Sequence, residues 1–79
     1  SDVALYPNPV VDDLVRVSVP MGINFVLEVY DVTGRRMMVR EGNSEELSSF
    51  NTTSLRNGQY MLRITSGAQV TTHKFVVQR

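Results

Sequence analysis

The sequence has no cysteine and no tryptophan, only three prolines, and a single histidine. Each scarcity removes a class of protein. Without cysteine there is no disulfide framework, no zinc knuckle, no CxxC redox centre and no thiol nucleophile. A small chain without covalent staples rests on packing alone. His73 has no nucleophile-elbow sequence to accompany it, and a Ser–His–Asp set needs a nucleophile and an acid around the imidazole. It reads as a surface residue of a strand. One histidine without cysteine is also a poor start for a zinc site. Gly34 and Gly58 are isolated, so no glycine-rich phosphate cradle exists. No apolar run approaches the ~18 residues of a membrane span, and no signal-peptide core is present. Eight basic residues meet eight acidic ones, so the basic stripe that nucleic acid requires is missing. These absences predict no enzyme, no cofactor, no metal and no nucleic-acid partner.

What the sequence does have is β-branched residues. Thirteen valines, two isoleucines and six threonines in 79 residues favour strands over helices. The length allows one small domain, with about 60% of its unfolded surface buried. The chain opens on Ser1 rather than methionine, and the expectation is a domain cut from a longer protein.

Short runs alternate with turn signals. Val3–Tyr6 stops at Pro7-Asn8-Pro9, where two prolines remove two backbone donors and keep the first strand from extending as an open edge. Val10–Asp13 is a connection. Leu14–Val19 alternates as a half-buried strand and ends at Pro20-Met21-Gly22. Phe25–Val32 places Phe25, Leu27 and Val29 on one face and Glu28 and Tyr30 on the other. Thr33-Gly34 turns it into Arg36–Glu41. Gly42-Asn43-Ser44 reads as a loop and Glu45–Phe50 as a weaker strand. Asn57-Gly58 is the strongest turn signal, with Gly58 expected at positive φ. Tyr60, Leu62 and Ile64 then alternate, Ser66-Gly67 turns, and Val70–Val77 closes the chain. About seven strands with turn signals about every 8–12 residues predict an all-β, antiparallel immunoglobulin-like β-sandwich. An open barrel is the alternative.

The polar candidates are few. Asp12-Asp13 with Asp31 is a conceivable calcium set, although no calcium-loop signature is present. Arg35-Arg36 offers guanidinium forks for carboxylate or phosphate, or simply two solvated strand ends. Glu45-Glu46 reads as a solvated strand end. Asn51-Thr52-Thr53 matches a glycosylation acceptor pattern.

Four fragments occur in order along the chain. They are Tyr6-Pro7-Asn8-Pro9, the Val29–Arg35 run with Asp31 and Gly34, Leu55–Tyr60 with Asn57 and Gly58, and the terminal Lys74-Phe75-Val76-Val77-Gln78-Arg79. Together they resemble the type A C-terminal sorting domain of type IX secretion cargo, found in Bacteroidetes on gingipain-like proteases and other surface proteins. The resemblance spans nearly the whole chain, and Gly42–Phe50 carries no assignable motif. It implies a folded secretion signal. The cargo reaches the periplasm by an N-terminal signal peptide, and the type IX machinery recognises the domain and moves the protein across the outer membrane. A sortase-like surface protease then removes the domain, with attachment of the cargo to anionic lipopolysaccharide. The implied motif residues are Pro7, Asn8, Pro9, Asp31, Gly34, Arg35, Asn57, Gly58, Tyr60 and Lys74 through Arg79. Gly34 and Gly58 are expected to serve turns and Tyr60 the core. Lys74, Gln78 and Arg79 are expected to gain little from packing. Lys74–Arg79 and the Gly34-Arg35 turn are therefore the candidates for direct reading, by strand addition at an edge or by an acidic clamp on the arginines. The alternative function is an adhesive or carbohydrate-binding β-sandwich. Uncovered edge strands also offer a route to a homodimer.

Overall fold

The structure, a computed structural model, describes residues 4–19, 24–43 and 49–79. Among the described residues seven strands run in chain order: β1 (Ala4–Tyr6), β2 (Leu14–Ser18), β3 (Asn24–Asp31), β4 (Arg36–Asn43), β5 (Ser49–Asn51), β6 (Gly58–Ser66) and β7 (Gln69–Val77). No helix occurs among the described residues. The strands form two antiparallel sheets, β1-β2-β5 and β4-β3-β6-β7. Chain neighbours β2 and β3 lie in different sheets, and so do β4 and β5, and β5 and β6. This is the Greek-key connectivity of an immunoglobulin-like sandwich.

Alternation puts one face of each strand into the core. Val15 and Val17 come from β2, Phe25, Leu27 and Val29 from β3, Leu62 and Ile64 from β6, and Phe75 and Val77 from β7; all are buried. Phe75 is at the centre, stacked on Tyr60 at 5.6 Å between ring centroids and met edge-on by Phe50 at 6.2 Å. Four of the six aromatic side chains are core. Tyr6 is half exposed, and Tyr30 lies on the outer face of β3.

Two hairpins follow the expected turns. Gly34, at φ 85°, turns β3 into β4, and Gly67, at φ 61°, turns β6 into β7. Both need the left-handed region that glycine enters without penalty. Asn57-Gly58, the strongest turn signal, does not make a hairpin. It ends the crossover between sheets, and Gly58 opens β6 opposite Val77 with φ 153°. The positive φ is as expected; the hairpin is absent because β5 and β6 belong to different sheets. Gly42 and Asn43, expected in a loop, extend β4 by pairing with Phe25 and Asn24. Of the Glu45–Phe50 strand, Ser49 and Phe50 lie in β5, and residues 44–48 are outside the described set. Val3 and the Pro20–Gly22 turn are outside it as well.

The segment after β1 is more than a connection. Val10 is fully buried and forms a parallel bridge with Val77, across the sandwich from β1. The chain leaves β1 through Pro7 and Pro9, with Tyr6–Pro7 and Asn8–Pro9 both cis, and reaches the free edge of β7.

Candidate functional site

The first and last fragments are hydrogen-bonded to each other. The Asn8 side-chain amide donates to the Lys74 carbonyl at 3.2 Å, and its Oδ1 accepts from the Val76 amide at 3.1 Å. Val10 N donates to Val76 O at 2.7 Å and Gln78 N to Val10 O at 2.8 Å. One asparagine and one residue of strand thus satisfy the edge of β7, which otherwise presents open pairing groups. Pro7 and Pro9 are exposed around it and add no donors of their own.

The third fragment joins the same seam. Asn57 Oδ1 accepts from Arg79 N at 3.0 Å, and Asn57 Nδ2 donates to Arg79 O at 3.2 Å. The Arg79 guanidinium donates to Asp12 O, Thr52 Oγ1 and Thr52 O at 2.9–3.0 Å, and to Leu55 O. Two separate connections, residues 11–13 and 52–57, are therefore held by one planar fork. The sequence reading of Arg79 as gaining little from the fold is overturned by these contacts. Thr52 is fully buried there, with its amide on Asp13 O at 2.7 Å. Tyr60 is buried and its hydroxyl donates to Arg56 O at 2.7 Å, the tyrosine-corner device of sandwich folds.

The second fragment builds its own turn. Asp31 Oδ1 accepts from Thr33 Oγ1 at 2.6 Å, Thr33 N at 2.9 Å and Arg35 N at 3.0 Å. The Thr33 hydroxyl, followed by the two amides, holds the Asp31 carboxyl below the usual aspartate range. Arg35 itself is exposed.

A cluster that the sequence did not single out lies on the outer face of the four-stranded sheet. Glu28 is only 8% exposed although it points away from the core. It accepts from Tyr30 Oη at 2.7 Å, from Arg63 Nε and Nη2 at 3.1 and 3.0 Å, and from Arg36 Nη1 at 3.3 Å. Arg63 also lies over the Tyr30 ring at 4.9 Å and donates to its hydroxyl at 2.6 Å. The Tyr30 hydroxyl, then the two guanidiniums, hold the Glu28 carboxyl below its usual range against the cost of burial. The same bond raises Tyr30 above a free phenol, because losing its proton would face a carboxylate. Alternation puts Glu28 and Tyr30 together; only the β3–β6 register, Glu28 opposite Arg63, supplies the partner.

Beside this cluster lies a groove of about 310 Å³, lined by Tyr30, Asp31, Val32, Gly34, Gln59, Tyr60, Met61 and Lys74. The register Tyr30–Met61–Lys74 across β3, β6 and β7 runs along it. Residues of the second, third and fourth fragments meet here, with Lys74 exposed at the rim. Of the terminal residues, Phe75 and Val77 are core, Val76 is half-buried at the seam, and Gln78 is exposed.

Nothing in the described residues gathers catalytic chemistry around His73. It lies on the inward side of β7 opposite Leu62, half-buried, with Nε2 shut from solvent and unpartnered, rather than on the surface. Asp12 Oδ1 accepts from Leu14 N at 3.2 Å, and Asp31 is used in its turn. No group of three acids or histidines is close enough to hold a metal among the described residues.

The family comparison is specific. Residues 4–78 match the model of the secretion system C-terminal sorting domain, and the chain belongs to that family, the type IX secretion sorting domains. No curated protein matches the chain.

Proposed function

We propose that the chain is a single sorting domain carried at the C-terminal end of a larger secreted protein, and that its folded form is the address the type IX machinery reads. The family match over residues 4–78 is the observation that carries this reading. The cargo passes through the periplasm, and the domain takes it across the outer membrane of a Bacteroidetes cell to the surface or the medium. A sortase-like peptidase removes the domain there, and the cargo is released or joined to anionic lipopolysaccharide. The domain acts as substrate and label, and any catalysis belongs to the cargo. The motif residues Pro7, Asn8, Pro9, Asp31, Gly34, Arg35, Asn57, Gly58, Tyr60 and Lys74–Arg79 serve this role in two ways. Most of them close the fold, and a few on the outer sheet face meet the machinery.

The test is an export assay. Residues 1–79 are fused to the C-terminus of a fluorescent reporter with a periplasmic signal peptide. The fusion is expressed in a strain with a working type IX system and in one lacking the channel. Reporter at the surface or in the medium of the first strain alone is the expected result. A folded fusion retained in the periplasm of both strains would refute the reading.

A further inference from the structure

The four-stranded sheet ends on β7 at one side and on β4 at the other, and the chain treats these edges differently. β7 is covered from Lys74 to Gln78 by Asn8 and Val10. The edges of the other sheet, β1 and β5, are only 3 residues each, too short to template much pairing. β4 is longer, at 8 residues. The groups it turns outward follow from alternation. Val76 turns its amide and carbonyl away from β6, to Asn8 and Val10. In an antiparallel ladder this sense alternates residue by residue. Carried through the registers from β7 to β6 and β3, it sets Leu27 and Arg40 toward each other and turns Val39 and Glu41 to the outer edge. Arg40 covers that edge. It is opposite Leu27 and so on the core side of the sheet, yet it is exposed. Its Nη1 donates to Val39 O at 2.8 Å, and thus occupies an outward acceptor that a further strand would need. Nearby, Val29 pairs with Met38 and Tyr30 with Arg36, which leaves Met37 as a bulge that twists the strand.

We propose that the β4 edge is a self-pairing surface for a second copy of this chain, and that Arg40 holds it shut. A two-fold antiparallel pairing centred on Val39 satisfies both edges with the same residues. Val39 then lies opposite the partner's Val39, each amide donating to the other's carbonyl. That carbonyl is the one Arg40 Nη1 takes. The same register sets Arg40 against the partner's Met38 on the core side, and Met38 is only 8% exposed. A charge pressed onto a largely buried apolar side chain costs desolvation, and the two-fold axis doubles that cost. Centring the pairing on Glu41 instead sets two carboxylates face to face, which disfavours it. Once Arg40 is replaced by an apolar residue, the core side of β4 continues from Met38 to position 40, and the outer side offers Val39, already exposed.

The experiment is analytical sedimentation of the purified 79-residue chain, with the melting temperature of each variant measured beside it. Wild type is expected to stay monomeric across about 10–500 µM, and Arg40→Val to dimerise in that range, at least about tenfold tighter than wild type. Hydrogen exchange reads the Val39 amide. Its protection should rise with protein concentration in Arg40→Val and stay flat in wild type. Adding Val39→Pro to Arg40→Val is expected to restore the monomer, because that amide faces the edge and donates nothing to the β3 ladder. Should the proline lower the melting temperature by more than about 5 °C, the exchange at Val39 in Arg40→Val decides the same question. Arg40→Val that stays folded and monomeric overturns the closure. Dimers of Arg40→Val with the Val39 amide unprotected overturn the β4 edge as the surface. Wild type that dimerises with Val39 protected overturns Arg40 as what holds it shut. The device does not depend on the sorting role, and each of these outcomes leaves that reading where it stands.

Discussion

At the scale of single residues, the fragments that look like a signal do structural work. Gly58 opens β6 at φ 153°, and a Cβ there meets nothing within 4 Å. The cost of Gly58→Ala is therefore backbone strain without a clash, about 1 kcal/mol, read as a lower urea midpoint. Asn8 is the clearer case, because its side chain replaces a strand partner. Asn8→Ala leaves Val76 N and Lys74 O to water at the edge of β7. The expected loss is about 1 kcal/mol, with hydrogen-exchange protection of the Val76 amide falling first. Unchanged protection at Val76 would show that the edge is held by Val10 alone. The sequence reads Asn8 as part of a proline-rich stop and of the family motif, not as a strand partner. Its two partners are 66 and 68 residues away, a pairing that no local pattern encodes.

At the scale of elements, what was legible depended on distance along the chain. The β3–β4 and β6–β7 hairpins were readable because glycine and alternation are local signals. The inward faces of β3 and β6 were readable for the same reason. The parallel bridge of Val10 to Val77 and the pairing of Glu28 with Arg63 were not, since each depends on how remote strands align. The Glu28 cluster gives the outer face of β3, β4 and β6 a pH window. Glu28 and Asp31 both have folded-state values below their unfolded ones, so they stabilise above the unfolded range of about 4. That contribution is lost as pH falls through the lowered values. Tyr30 is shifted upward, which favours its protonated form and stabilises below about 10, and the contribution is lost at higher pH. The urea midpoint should therefore be flat between about 5 and 9 and fall on both sides. Glu28→Gln should shrink the acid-side drop to what Asp31 contributes. An acid limb of equal size in Glu28→Gln would remove the cluster from the account.

For the whole molecule, the question is whether the C-terminal tail is read or is needed to hold the fold. Its sequence suggests residues that gain little from packing and are read directly. The structure gives the tail a second task. Gln78 N is bonded to Val10 O, and the Arg79 guanidinium ties residues 11–13 to residues 52–57, with Asn57 gripping its backbone. Removing Gln78 and Arg79 takes away charge-assisted bonds at an exposed end, worth about 2 kcal/mol together after solvent screening. In a domain of this size that is a fall of about 10 °C in melting temperature. Arg79→Lys should lose most of the same stability, because an ammonium cannot place donors on four acceptors in one plane. Export of the truncated fusion should then follow the folded fraction: reduced at the growth temperature, and recovered when cells are grown about 10 °C cooler. If the truncated fusion fails at both temperatures with its melting transition unmoved, the tail is read directly, and Arg79's contacts with Asp12, Thr52 and Leu55 add nothing to export.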